Sequence, residues 1–245
     1  MIADARTVIW KEWRSLFRQP GSRIRLVLTV AVPVGYFGIV GPLQDGADWV
    51  NNASPWFVAI VLPLLVVVMT APDSFAGERE RKTLRTLLAS RLPDSAILWA
   101  KVAFSVFLGF GMMILTLVLA LVVVNTTDGG NGLVVIAWDR LLYMIVVSIL
   151  VSAMAAGAAV LISLRAVTVQ QAQQTLAAVF FLIPTVAGPV VLLLSKDGDH
   201  RPLEDLFATL GTPAGRLGVV VGLLALASTL LWVAKLRFKR SRLAA

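Results

Sequence analysis

The 245-residue sequence contains no cysteine, a single histidine and no G-x-x-x-x-G-K-[ST] segment. Without thiols there is no disulfide, no thiol nucleophile and no Cys-based metal site. The lone His200 stands in a polar connection, which leaves a His-based zinc centre without its other ligands. Lacking the phosphate loop, the chain does not bind ATP in that manner. Serines occur within apolar stretches near Ala and Gly, yet no His or Lys lies at the same depth to activate one, which argues against intramembrane hydrolysis. Charge is scarce as well: 15% of the residues are charged, whereas a typical soluble domain carries about a quarter.

What is abundant is apolar surface, at 58% hydrophobic residues and a mean hydropathy of +0.84. The charges are segregated, leaving uncharged runs at 26–44, 49–72, 102–127, 141–164, 166–195 and 217–234. Crossing roughly 30 Å of hydrocarbon takes a helix of about 20 residues, so each run is a candidate span. The expected fold class is all-α: a polytopic membrane helical bundle of six transmembrane helices, forming one permease-like domain over 1–245. None of the runs holds Asp, Glu, Lys, Arg or His. A carrier driven by protons or ions keeps such a group at membrane depth despite a cost of about 2.5–3.5 kcal/mol. Asp73, just past the second run, is the nearest candidate and reads as helix-end chemistry. Energy for any transport then has to come from elsewhere.

Net charge is +8. Of the 22 Lys and Arg, 18 fall on 1–25, 73–101, Arg165 and 235–245, and four (Arg140, Lys196, Arg201, Arg216) on the alternate connections. That asymmetry is the positive-inside pattern, with both termini cytoplasmic. Basicity therefore reports sidedness and attraction to anionic lipid; no nucleic-acid partner is expected.

Residues 2–18 divide into an apolar face (Ile2, Ala5, Ile9, Trp13, Leu16, Phe17) and a basic one (Lys11, Arg14, Arg18), the pattern of a helix lying in the membrane interface. "QDGADWVNNASP" reads as a short external loop. "SAMAAGAA" in the fourth run lets helix backbones approach closely, and Gly218 and Gly222 in the sixth read as packing glycines. Pro184 and Pro189 are expected to kink the fifth run, which follows a tight turn through "AVTVQQAQQ". Residues 196–215, with Leu203, Leu206, Phe207 and Leu210 at helical spacing, read as an outer re-entrant or interfacial segment.

The segment "GERERKTLRTLL", 77–88, is the charged exception. As a helix it puts Leu84, Leu87 and Leu88 on one face and Glu78, Arg81, Lys82 and Arg85 on the other, with Glu78 and Lys82 spaced for an ion pair. "RLPDS" ends that helix, and Asp94 is a plausible N-cap for a second piece, "SAILWAK", leading into the third span. A solvated connector would explain the basic residues; interleaved glutamates and an ordered leucine stripe suit a partner surface that needs register.

"DSFAGERERKTLRTLLASRLPDSAILWAK", 73–101, resembles the first cytoplasmic loop of ABC-2-type permeases, the membrane subunits of ATP-binding-cassette exporters. "WKEWRSLFRQP" is similar to that family's amphipathic entry helix, and "SLRAVTVQQAQQ" to its polar turn before the fifth span. The resemblance implies a multi-pass protein of the prokaryotic plasma membrane that is not itself an enzyme. It would form a dimer with a second copy or a paralogue and bind two copies of a separate ABC ATPase, which would hold the ATP and Mg; this chain would bind no cofactor or metal. Residues 77–91, within a loop spanning 77–99, would be the coupling helix. ATPase docking would fall to Gly77, Glu78, Arg79, Glu80, Arg81, Thr83, Leu84, Arg85, Leu87 and Leu88. An export path between protomers, lined by spans one, two and five, would be strongly apolar, with Thr29, Tyr36 and Thr185 among its polar groups. That lining suits a hydrophobic or amphipathic substrate. Ion extrusion, and a scaffold that recruits a partner without transport, are the alternatives. Unlike many relatives, the chain has no large external domain after span one.

Overall fold

The structure, a computed structural model, describes residues 10, 31–80, 93–127, 132–182, 185 and 212–238, and these are helical with short connections. The first stretch runs through α1 (Val32–Gly35), a π-helical turn Tyr36–Val40, α2 (Gly41–Asp45) and a 3-10 turn Gly46–Val50. Next comes α3 (Ser54–Pro72), which passes through a π-helical Asp73–Gly77 into α4 (Glu78–Glu80). Then follow α5 (Asp94–Thr127), α6 (Trp138–Ser163), α7 (Val169–Ala177) with a π-helical Ala178–Leu182, and α8 (Pro213–Arg237). Four of these helices, α3, α5, α6 and α8, are long and apolar enough to cross a membrane. The first and fifth expected spans are helical where described, at 31–45 and 169–182, but six complete spans are not established.

Helices α3, α5 and α6 pack on one another as a three-helix core, α8 packs on α6, α7 on α6 and α3, and the first stretch on α5. One apolar cluster joins Leu64, Val67, Ile97, Val151, Ala155 and Leu176; a second joins Trp49, Val58, Met113 and Leu117. Small residues set the helix spacing. A Cβ built on Gly157 of α6 would stand 3.1 Å from Leu230 Cβ of α8, so the small-residue stretch does bring backbones together. Gly218 and Gly222 differ from that expectation: among the described residues nothing lies within 4 Å of a Cβ on either, so neither packs against them.

Several connections are more ordered than their composition suggests. The stretch read as a short external loop holds the 3-10 turn, whose Trp49 is 1% exposed and part of the core. Gly46 makes that turn possible with φ 56 and ψ −138, a conformation closed to side-chain-bearing residues. Asp94 does not cap a separate piece: α5 is unbroken for 34 residues, about 50 Å at 1.5 Å per residue, and outreaches the hydrocarbon. At its far end Asn125 bonds to Leu121 O, to Val134 O and to Val134 N, each at 2.8 Å, fastening the extended residues 132–137 onto the helix. Nearby, Trp56, Tyr143 and Arg216 stack in sequence, and Arg216 reaches Asp139 at 3.5 Å, tying the start of α8 to that of α6.

Of the expected interfacial helix 2–18, Trp10 alone falls among the described residues; it is helical and exposed. The expected outer segment 196–215 lies outside them up to 211. Its last residues form the start of α8, where the Thr212 hydroxyl accepts from Gly215 N.

Candidate functional site

The docking segment begins where α3 would be expected to end. Proline lacks the N–H that a helix interior needs, and Pro72 is followed by five π-helical residues, not by a stop. The helix therefore carries through Gly77 into Glu78 and Glu80, so the first residues of the charged segment are an extension of a span.

Glu78 is not on an outward face. Its side chain is 6% exposed and its Oε1 lies 3.2 Å from Nζ of Lys101, which is 1% exposed. The helical projection gave Glu78 the same side as Arg81, Lys82 and Arg85; tertiary contact with α5 turns it inward. A buried lysine and a buried glutamate each lose hydration worth several kcal/mol, which their mutual attraction at this distance offsets. The Lys101 carbonyl in turn accepts from the Ser105 hydroxyl at 3.1 Å.

Glu80 points to a third element. Its Oε1 accepts from the backbone N–H of Val169 at 2.9 Å, filling one of the free donors at the N-terminus of α7. The Thr168 hydroxyl accepts from Gln171 N at 3.1 Å and Gln171 Oε1 from Val167 N at 3.0 Å, so the polar turn is closed by its own side chains. Gln173 donates from Nε2 to Met69 O of α3 at 2.6 Å. Beneath these bonds Ala76, Ala166, Val169 and Ala172 form a small apolar cluster. The ends of α3, α5 and α6 and the start of α7 thus meet at one end of the bundle.

Of the other expected docking residues, Gly77 is buried at the end of the π turn and Arg79 lies in α4. Arg81, Thr83, Leu84, Arg85, Leu87 and Leu88 lie outside the described residues, as does Thr29 of the expected path. Tyr36 is exposed, in the π turn packed on α5, with its ring edge-on to Phe37 at 5.2 Å. Thr185 is exposed as well, its hydroxyl donating to Phe181 O.

Lys101 and Gln173 carry this site; the sequence gives Lys101 as an inside charge and the end of the family-like loop, and Gln173 as part of a polar turn. One signal was present for Lys101: it opens 26 uncharged residues directly after "AILWA", a setting in which an ammonium needs a carboxylate. Nothing comparable marked Gln173.

The π turns have a pattern of their own. Among the described residues they occur at Tyr36–Val40 and Ala178–Leu182, within the first and fifth hydrophobic runs, and at Asp73–Gly77, just past the end of the second; Ala31 in the first run is π-helical too. Each turn lies within two residues of a proline in the sequence, Pro42, Pro72 or Pro184. Helices α5 and α6 contain no proline, and α8 has one only at its first position, where the missing N–H is harmless.

No curated protein matches the chain significantly. Residues 4–195, most of its length, match the family model described as ABC-2 type transporter. With that match and its set of long apolar helices, the chain belongs to the ABC-2 type transporter family and is a multi-pass membrane component of such a transporter.

Proposed function

We propose that this chain is the permease subunit of an ATP-driven exporter, working as a dimer of two copies or with a paralogue. A separate ABC ATPase docks on residues 77–91 at the cytoplasmic face, where both termini also lie. The substrate is hydrophobic or amphipathic and leaves along a path lined by spans one, two and five of the two protomers. ATP and Mg are held by the ATPase.

The observation that carries this reading is that the described π turns fall on spans one and five and on the direct continuation of span two. A π turn widens the helix and weakens its hydrogen bonds, so it gives the backbone a place to change pitch. Spans three, four and six, as α5, α6 and α8, are uninterrupted and suit a static frame. A scaffold that only recruited a partner would have no use for that division of labour.

The test is copurification of the tagged full chain with an ABC ATPase, followed by ATP-dependent flux of amphipathic dyes into inverted vesicles. An Arg81→Ala, Arg85→Ala double variant is expected to lose both the ATPase and the flux. A wild-type chain that binds the ATPase yet supports no flux of dyes, peptides or ions would point to the scaffold instead.

A further inference from the structure

Glu78 is the second residue of the charged segment, and Lys101 lies in α5, beyond the loop that follows it. Their ion pair, at 3.2 Å and almost fully buried, closes the base of the excursion from 79 to 100. Resting on the reading of that segment as the ATPase dock, we propose that Glu78 and Lys101 are the positioning pair that makes the dock rigid with its two spans. Movement of the loop then reaches span five through Glu80 and Gln173.

A buried ion pair is a poor device for stability, because apolar residues of similar volume do as well without the desolvation of two charges. What such a pair supplies is direction and distance, since in a low-dielectric surrounding two opposite charges attract strongly and resist separation. Here the constraint falls between α4, which continues α3, and α5, the longest helix of the frame. A push on the loop cannot be absorbed by slack at its base, and must be passed on to α3 and α5 together.

The route onward is equally specific. Glu80 Oε1 holds the first N–H of α7 at 2.9 Å, and Gln173 on the same helix holds Met69 O of α3 at 2.6 Å. Two bonds from one nine-residue helix to the α3–α4 continuum fix α7 in both position and rotation. The π turn Ala178–Leu182 follows directly, so the rigid part of span five ends where its backbone can yield.

The absence of cysteine makes the test clean, because every introduced thiol is the labelled one. The full chain is reconstituted in lipid nanodiscs with the ABC ATPase that copurifies with it, and carries spin labels at Leu115→Cys and Val179→Cys, both exposed. In the wild-type background ATP with vanadate is expected to shift the label distance. Lys101→Met and Glu78→Gln should each abolish the shift and lower the kcat of the bound ATPase about tenfold, with its KM for ATP unchanged, a size usual for coupling between sites. Lys101→Arg and the exchanged pair Glu78→Lys, Lys101→Glu should restore both.

Single variants that keep the shift and the kcat on a captured ATPase overturn the inference and leave the dock standing. A wild-type chain that captures no ABC ATPase overturns the dock, and the inference with it.

Discussion

Gly109 of α5 lies directly against Ser152 of α6: a Cβ built on the glycine would stand 2.7 Å from the serine hydroxyl oxygen and 3.2 Å from the Pro63 carbonyl of α3. The three core helices therefore touch at one point, and the missing side chain is what lets them. Gly109→Ala is expected to destabilise the chain by about 1–3 kcal/mol, the usual cost of overpacking. Ser152→Ala in the same chain removes the nearest clashing atom and should recover part of the loss. Thermal unfolding of the single and double variants in detergent reads both effects; equal losses would show that the helices separate without strain.

The hydroxyls of Ser148 and Ser152 are fully buried on one face of α6, and among the described residues neither finds a hydrogen-bond partner. Each carries an unrepaid desolvation cost of about 1–3 kcal/mol. Ser148→Ala should therefore be neutral or stabilising, unlike most changes at a buried site. A clear drop in unfolding temperature would mean that the hydroxyl has a partner in the membrane.

For the Glu78–Lys101 pair the stability prediction depends on which charge is left behind. Lys101→Met or Glu78→Gln alone removes one charge of a buried pair and should cost about 3–5 kcal/mol. The double variant removes both charges, and should be markedly more stable than either single one. A double-mutant cycle on unfolding measures the difference; additive losses would place the two side chains in independent environments.

Gly157 keeps α8 against α6, with Leu230 Cβ at 3.1 Å and the Leu230 carbonyl carbon at 3.4 Å from where its Cβ would be. Neither atom is the free end of a flexible side chain, so a substituent moves the helix as a whole. Gly157→Val is expected to displace α8 outward while the α3–α5–α6 core stays folded. Spin labels at Ile149→Cys and Leu226→Cys, both exposed, should report a longer distance in the variant with unchanged helical content.

Asn125 closes the far end of α5 through three hydrogen bonds. Asn125→Ala removes all of them and should cost about 1–3 kcal/mol. Hydrogen exchange should show it first at the Val134 amide, which loses its acceptor, with protection of the α5 interior kept.

Much of this architecture was legible because the relevant signals are local. Long uncharged runs separated by charged stretches give the helices and nearly their ends: Ser54–Pro72 and Trp138–Ser163 are close to runs visible by eye. The small residues of "SAMAAGAA" announced a close helix contact, and one exists at Gly157. The 3-10 turn at 46–50 was missed because its polar residues look like a loop, while the tryptophan that anchors it needs the second apolar cluster to be recognised as core. The Gly218 and Gly222 spacing was misread for the reverse reason: spacing says which residues share a face, not what that face meets.

The same limit governs the candidate site. By itself the sequence determined the membrane class, the helical runs and the family, because transfer of apolar residues into lipid is additive along the chain and a family's loop motif is contiguous. It also marked residues 77–88 as unusual. Tertiary structure alone decided that Glu78 faces Lys101, that Glu80 caps α7 and that Gln173 reaches Met69. A helical projection fixes a side chain's direction about its own axis only. Whether that direction leads to water or to a buried counter-ion depends on a helix 23 positions away, and on the 1.5 Å rise that brings its lysine to the same level.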